Sequence, residues 1–206
     1  DIDILFTGTT MGGFPLGPNF KEYAKRRNLY ATPSASKTFR DDPDVVTEMG
    51  IKVVSNAEAV NLANSGILHF EMMDVDISGL SRAIELMGDD AVFDGAAIAV
   101  QDHGTGPKGM SEREFRFQNY KRDLQGVGRL TDFCYRENEI PPYLTRMKAV
   151  AELLNDVPNL LLMDTGMAAV LGSLEDDKVA SVRRKLLVNV GNGHSLAVIL
   201  EGEEIQ

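Results

Sequence analysis

Leu186-Leu-Val-Asn-Val-Gly-Asn-Gly-His-Ser-Leu-Ala-Val-Ile-Leu200 carries two apolar runs around a polar, glycine-bearing turn, Asn189-Val-Gly-Asn-Gly-His-Ser195. Each run is too short for a helix and rich in aliphatic or β-branched residues, so each reads as a buried strand. Gly191 and Gly193 permit positive φ and let a ligand lie directly on the backbone. Consecutive N–H groups in such a turn form an anion nest. A phosphate-binding hairpin is one reading; an ordinary tight hairpin is the other, because Asn-Gly is also the strongest plain hairpin signal.

The segment upstream extends the pattern. Asn159-Leu-Leu-Leu-Met-Asp-Thr-Gly166 reads as a strand ending in a polar corner, and Met167-Ala-Ala-Val-Leu-Gly-Ser-Leu174 as a helix of small residues able to approach a sheet or ligand closely. A charged connection, Glu175 to Lys185, leads into the hairpin. From residue 159 onward this order resembles the actin-like ATPase superfamily of sugar kinases, actin and the seventy-kilodalton heat-shock chaperones. The resemblance implies a nucleotide with Mg²⁺, most simply ATP, held by the hairpin through Gly191, Asn192, Gly193 and Ser195. The chain departs from the superfamily's pattern in two places. Neutral Asn189 stands where an acidic residue usually organises metal and water, and His194-Ser195 stands where a Thr follows the second Gly.

A narrower resemblance spans nearly the whole chain. Leu5-Phe-Thr-Gly-Thr-Thr-Met-Gly-Gly13, Ala31-Thr-Pro-Ser-Ala-Ser-Lys-Thr-Phe-Arg-Asp-Asp42, Val100-Gln-Asp-His-Gly104, Met163-Asp-Thr-Gly166 and the hairpin are similar to one mainly archaeal and bacterial family. That family is labelled "putative pyruvate formate-lyase activating enzyme" and grouped with the actin-like ATPases. The superfamily places a first phosphate hairpin ahead of such a segment and an adenosine-binding half after it. The expectation is therefore an internal fragment whose partners include the remaining parts of a longer chain.

The 206 residues are 43% hydrophobic and 25% charged, an ordinary globular composition. A chain of this length buries roughly 70% of its unfolded surface. It is read as one α/β domain over 1–206, with a helical segment at 105–155. Net charge is -10 and pI about 4.8, which argues against a nucleic-acid partner. A small phosphorylated or anionic ligand held by backbone N–H groups remains compatible. Cys134 stands alone, so no internal disulfide forms. This suits a reducing cytoplasm. No apolar run reaches membrane-spanning length, so no membrane is expected.

Strands are predicted over 2–7, 29–31, 51–54, 67–72, 95–100 and 160–163. Helices are predicted around 18–27, 43–49, 57–64, 78–88 and 168–174, and the stretch 111–154 reads as mostly helical. Alternation of this kind predicts an α/β fold with a mixed, largely parallel sheet and helices on both faces, resembling one ribonuclease-H-like half of an actin-like ATPase. The strands before Gly8, Asp102 and Asp164 end in polar corners. Ligands collect at the carboxyl ends of such strands, so these corners are expected to face one cleft.

Gly8, Thr9, Thr10, Gly12 and Gly13 either cradle an anion at the start of the next helix or merely turn strand into helix. The loop lacks Lys and is no Walker loop. Asp102 and His103 follow an apolar strand; the Asp either orients the imidazole or shares a metal with it, or caps a helix or turn beside an exposed His. Asp164 either positions water or metal, or caps a helix. His194 replaces a residue that would touch the γ-phosphate. His69 reads as a satisfied structural histidine. The candidate catalytic set is thus Asp102, His103, Asp164 and His194, with no metal ligands assigned. Two functions follow from the resemblance: an ATPase or small-molecule kinase, or a degenerate module that binds an anionic ligand without turnover. By itself the fragment is expected to turn over little ATP. A radical activase needs three or four thiolates for its iron–sulfur cluster. Cys134 supplies one, so no such cluster is expected here.

Overall fold

Ile4–Thr9 forms β1 at the interior of a parallel sheet, with β2 (Leu29–Ala31) on one side and β4 (Leu68–Met73) on the other. β3 (Ile51–Val53) lies outside β2, giving the order β3-β2-β1-β4. The computed structural model describes residues 2–10, 16–40, 42–107, 109–124, 128–191 and 195–206. Two compact units make up the chain, Asp1–Leu86 and Met87–Gln206.

In the first unit α1 (Leu16–Tyr23), α2 (Pro33–Ser36), α3 (Pro43–Glu48), α4 (Asn56–Ala63) and α5 (Ile77–Leu86) connect or follow the strands. Their starts carry the expected chemistry. The Thr32 and Asp42 side chains accept N–H bonds at the heads of α2 and α3, and Ser55 with Glu58 closes a capping box on α4. Phe6 meets Phe20 and Phe39 edge-on at 5.0 and 5.3 Å, and Leu29, Val46 and Ile51 complete that core. α1 ends earlier than predicted. The amides of Lys25 and Arg26 bond three residues back, a tight turn that leaves Lys25, Arg26 and Arg27 after the helix.

The second unit holds two sheets. β5 (Ala96–Val100) runs parallel to β8 (Leu160–Asp164), and β7 (Cys134–Tyr135) pairs antiparallel on β8's other side. The other sheet is antiparallel: β6 (Gly128–Arg129), β11 (Glu204–Ile205), β10 (Ser195–Glu201) and β9 (Arg184–Val190). The α/β class is as predicted, but the described strands divide among three sheets. The stretch 111–154 holds α6 (Glu112–Asp123) and α7 (Thr145–Leu153). Between them lie short strands and 3₁₀ turns, because pairing of Cys134 with Met163 and Tyr135 with Leu162 overrides local helix preference.

α8 (Thr165–Gly172) follows β8 directly, and α9 (Asp177–Ala180) lies in the charged connection to β9. The hairpin is half-buried, not buried as predicted. Leu187, Leu196, Val198 and Leu200 join Met163, Met167 and Val170 in one core. Leu186, Val188, Val190 and Ile199 are exposed, since alternate residues of a strand face opposite sides.

Candidate active-site corner

Asp102 and Asp164, 62 residues apart, converge at the carboxyl ends of the parallel pair β5 and β8. The backbone N–H of Asp102 donates to Asp164 Oδ2 at 3.4 Å. Asp102 Oδ1 accepts from the Gly104 amide and Oδ2 from the Met147 amide, each at 2.9 Å. Met147 lies in the first turn of α7, whose N-cap position is Leu144, a residue with no capping side chain. Asp102 thus caps that helix from a distant strand. Burial pushes the Asp102 carboxyl up from its ordinary range. Amide bonds from Met147, Gly104 and Arg146 pull it back, and the charge of Asp164 adds to the rise.

Asp164 ends β8 and caps α8, its Oδ1 accepting from the Gly166 amide at 2.9 Å. The same oxygen forms a buried ion pair with Arg116. Arg116 Nε donates to the Tyr120 hydroxyl at 2.9 Å, and the guanidinium lies over the Tyr120 ring. Burial, reinforced by the negative charge of Asp164, pushes the Tyr120 hydroxyl up to about 12.

α6 places Arg116, Asn119, Tyr120 and Asp123 at helical spacing along the wall of a cavity of about 30 Å³. Asp102, His103 and Asp164 line it as well, with Tyr135 and Tyr143 among its aromatic walls. Three of the four candidate catalytic residues therefore border one cavity. The fourth, His194, lies outside the described residues, as do Asn192 and Gly193. Gly191 follows β9, and Ser195 opens β10 opposite Val190; both are exposed.

Leu196, the second residue of β10, lies beside the same corner. A Cβ added to Gly166 would come within 3.1 Å of Leu196 Cδ2 and of Asp164 Oδ1, and 3.2 Å from Arg116 Nη2. Asn189 pairs with Leu196 and lies on the inward side of β9 with Leu187. Sequence reading missed Arg116 and Asn119. The available signal was polar residues recurring at helical spacing on α6, a pattern that ordinarily marks a solvated face.

The Gly8 corner belongs to the first unit. Gly8 has φ +72°, and a Cβ there would meet the Met72 carbonyl oxygen at 2.1 Å, so only glycine fits. Thr9 ends β1. Thr10 Oγ1 donates to Asp74 Oδ1 at 2.6 Å, and its carbonyl accepts from Thr38 Oγ1 at 2.6 Å. Gly12 and Gly13 lie outside the described residues. His69 Nε2 and Thr7 Oγ1 are 2.7 Å apart, a satisfied structural pair.

The model of the family described as "Putative pyruvate format-lyase activating enzyme (DUF1786)" matches residues 11–206. The chain belongs to this family. No match was found among curated proteins or among solved structures. Among the described residues, no helix is long and apolar enough to cross a membrane, and no group of three or more His, Cys, Asp or Glu side chains is placed to hold a metal ion.

Proposed function

We propose that the second unit binds the phosphate of a nucleotide at the turn of the β9–β10 hairpin, near the N-terminus of α8, as the resemblance to actin-like ATPases suggests. The observation that carries this reading is the closeness of the Gly166 position to Leu196. Leu196 follows the glycine-bearing turn closely in sequence, and the helix start it stands beside offers N–H groups and a dipole that favour negative charge. Asp164 at that corner would repel a phosphate by itself, but its ion pair with Arg116 cancels the charge locally. Mg²⁺ would accompany a nucleotide.

Asn189 favours binding over turnover. A neutral amide does not organise a metal-bound water as a carboxylate does, so the chain acts as a nucleotide-responsive module with weak or no hydrolysis. A radical activase with an iron–sulfur cluster would need several thiolates. Cys134 is the only cysteine in this chain, and burial raises its thiol further from the thiolate form. A lone cysteine and an acidic surface accord with a cytoplasmic setting.

The reading is tested with Mg²⁺–ADP and inorganic pyrophosphate as probes in thermal-shift measurements. The wild-type chain should be stabilised in a salt-sensitive way, and Gly193→Val should remove that protection. Equal protection of Gly193→Val, or no protection of the wild type by either probe, overturns the reading.

A further inference from the structure

The cavity beneath this corner has a chemistry of its own. The three carboxylates along its wall are engaged within the protein. Asp102 accepts from backbone amides, Asp164 from Arg116 and Gly166, and Asp123 from Arg122 and the Tyr143 hydroxyl. Asn119 is different. It is 6% exposed and lines the cavity, and its Nδ2 has no hydrogen-bond partner among the described residues. A buried amide that loses water without gaining an acceptor carries its full desolvation penalty. Such a group in a folded protein points to an occupant.

We propose that this cavity is a binding subsite for an uncharged oxygen acceptor, the carbonyl or amide oxygen of a small ligand, which Asn119 recognises through its NH₂ group. Charge selects for neutrality. On the wall, where His103 also lies, Asp164 is paired with Arg116 and Asp123 with Arg122, so an added anion meets no unpaired guanidinium among these and faces the carboxylate of Asp102. A cation meets carboxylates already engaged by amides, a hydroxyl and guanidinium groups. The NH₂ group offers two protons and so calls for an acceptor. Phe133 and Tyr135 give the space apolar walls suited to a flat carbonyl-bearing group. A volume of about 30 Å³ admits the tip of such a ligand or one or two waters.

The test uses three planar probes of nearly equal size: neutral acetamide, anionic acetate and cationic acetamidinium. Each is titrated into the whole chain while the Asn119 side-chain NH₂ resonances are followed by NMR. Acetamide should shift them saturably, with weak, fragment-like affinity, and the two ions should not. Asn119→Asp, which replaces donor by acceptor at constant size, should abolish the response at neighbouring resonances. Absence of any response in the wild type means a cavity closed over water and overturns the proposal. A stronger response to either ion overturns it equally. The subsite stands apart from the phosphate reading: Gly193→Val should leave the acetamide response intact, so each can fail without the other.

Discussion

Arg116 and Asp164 are the residues on which the corner depends. Both are buried, and the pair joins α6 to the junction of β8 and α8. Removing one partner of a buried pair leaves the other charge uncompensated, which typically costs about 3–5 kcal/mol. Arg116→Met should therefore lower stability to urea by about that amount, and Arg116→Met combined with Asp164→Asn, which removes the charge but keeps an oxygen to cap α8, should recover much of it. A loss below about 1 kcal/mol for the single variant would show that the pair is effectively solvated. Asp102 gives a pH signature. Its folded carboxyl titrates above 3.8, so the folded chain keeps this proton to a higher pH than the unfolded chain does. The stability contributed by this group is greatest at the acid end and falls as pH rises from 3.8 through the folded midpoint. Asp102→Asn removes that titration and turns an NH₂ toward an amide donor, costing about 1–3 kcal/mol. The stability gap between wild type and Asp102→Asn, measured by urea unfolding, should narrow as pH is raised from acid toward neutral. A gap that widens would show that the carboxyl is depressed instead.

At the scale of elements, α8 offers two glycines with opposite expectations. Gly166 is wedged among Leu196, Asp164 and Arg116, whereas a Cβ on Gly172 would meet nothing within 4 Å. Gly172→Ala should stabilise by about 0.5–1 kcal/mol through helix propensity. Gly166→Ala forces a stiff ion pair or a buried leucine aside and should destabilise by about 1–3 kcal/mol. Thermal unfolding of the two variants checks the contrast, and equal shifts of one sign would contradict it. The same elements show what the sequence made legible. Strands 29–31 and 96–100 and the hairpin could be placed because short aliphatic runs between polar corners have few alternatives. β6, β7 and β11 were not legible. Each has only two residues, and partners distant in sequence create them. Asp102 and Asp164 stood out as polar residues ending apolar strands. Arg116 and Asn119 did not, because nothing local distinguishes a buried polar helix face from a solvated one. The outward apolar face of β9 was illegible for a related reason: an uninterrupted aliphatic run reads as buried on both sides.

At the scale of the molecule, each unit has a core of its own. The first gathers Phe6, Leu29, Phe39 and Ile51 around its parallel sheet. The second gathers Met163, Met167, Leu187, Leu196 and Leu200 between β8, α8 and the hairpin. Around the boundary, Leu86, Met87 and Val92 are 88%, 78% and 82% exposed, and residues 89–95 form no helix or strand. Exposed backbone without ladder bonds is where proteases cut. Limited proteolysis should therefore nick the chain within 87–95 and release two resistant fragments. The larger unit contains the complete corner of Asp102, Arg116 and Asp164, and its length favours independent folding more than that of the smaller one. Residues 87–206 expressed alone should give a dispersed amide NMR spectrum that overlays resonances of the same residues in the intact chain. The acetamide response at Asn119 should persist in that piece, because every wall of the cavity comes from it. A collapsed spectrum for 87–206, or primary cleavage inside either core, would show that the two units fold as one.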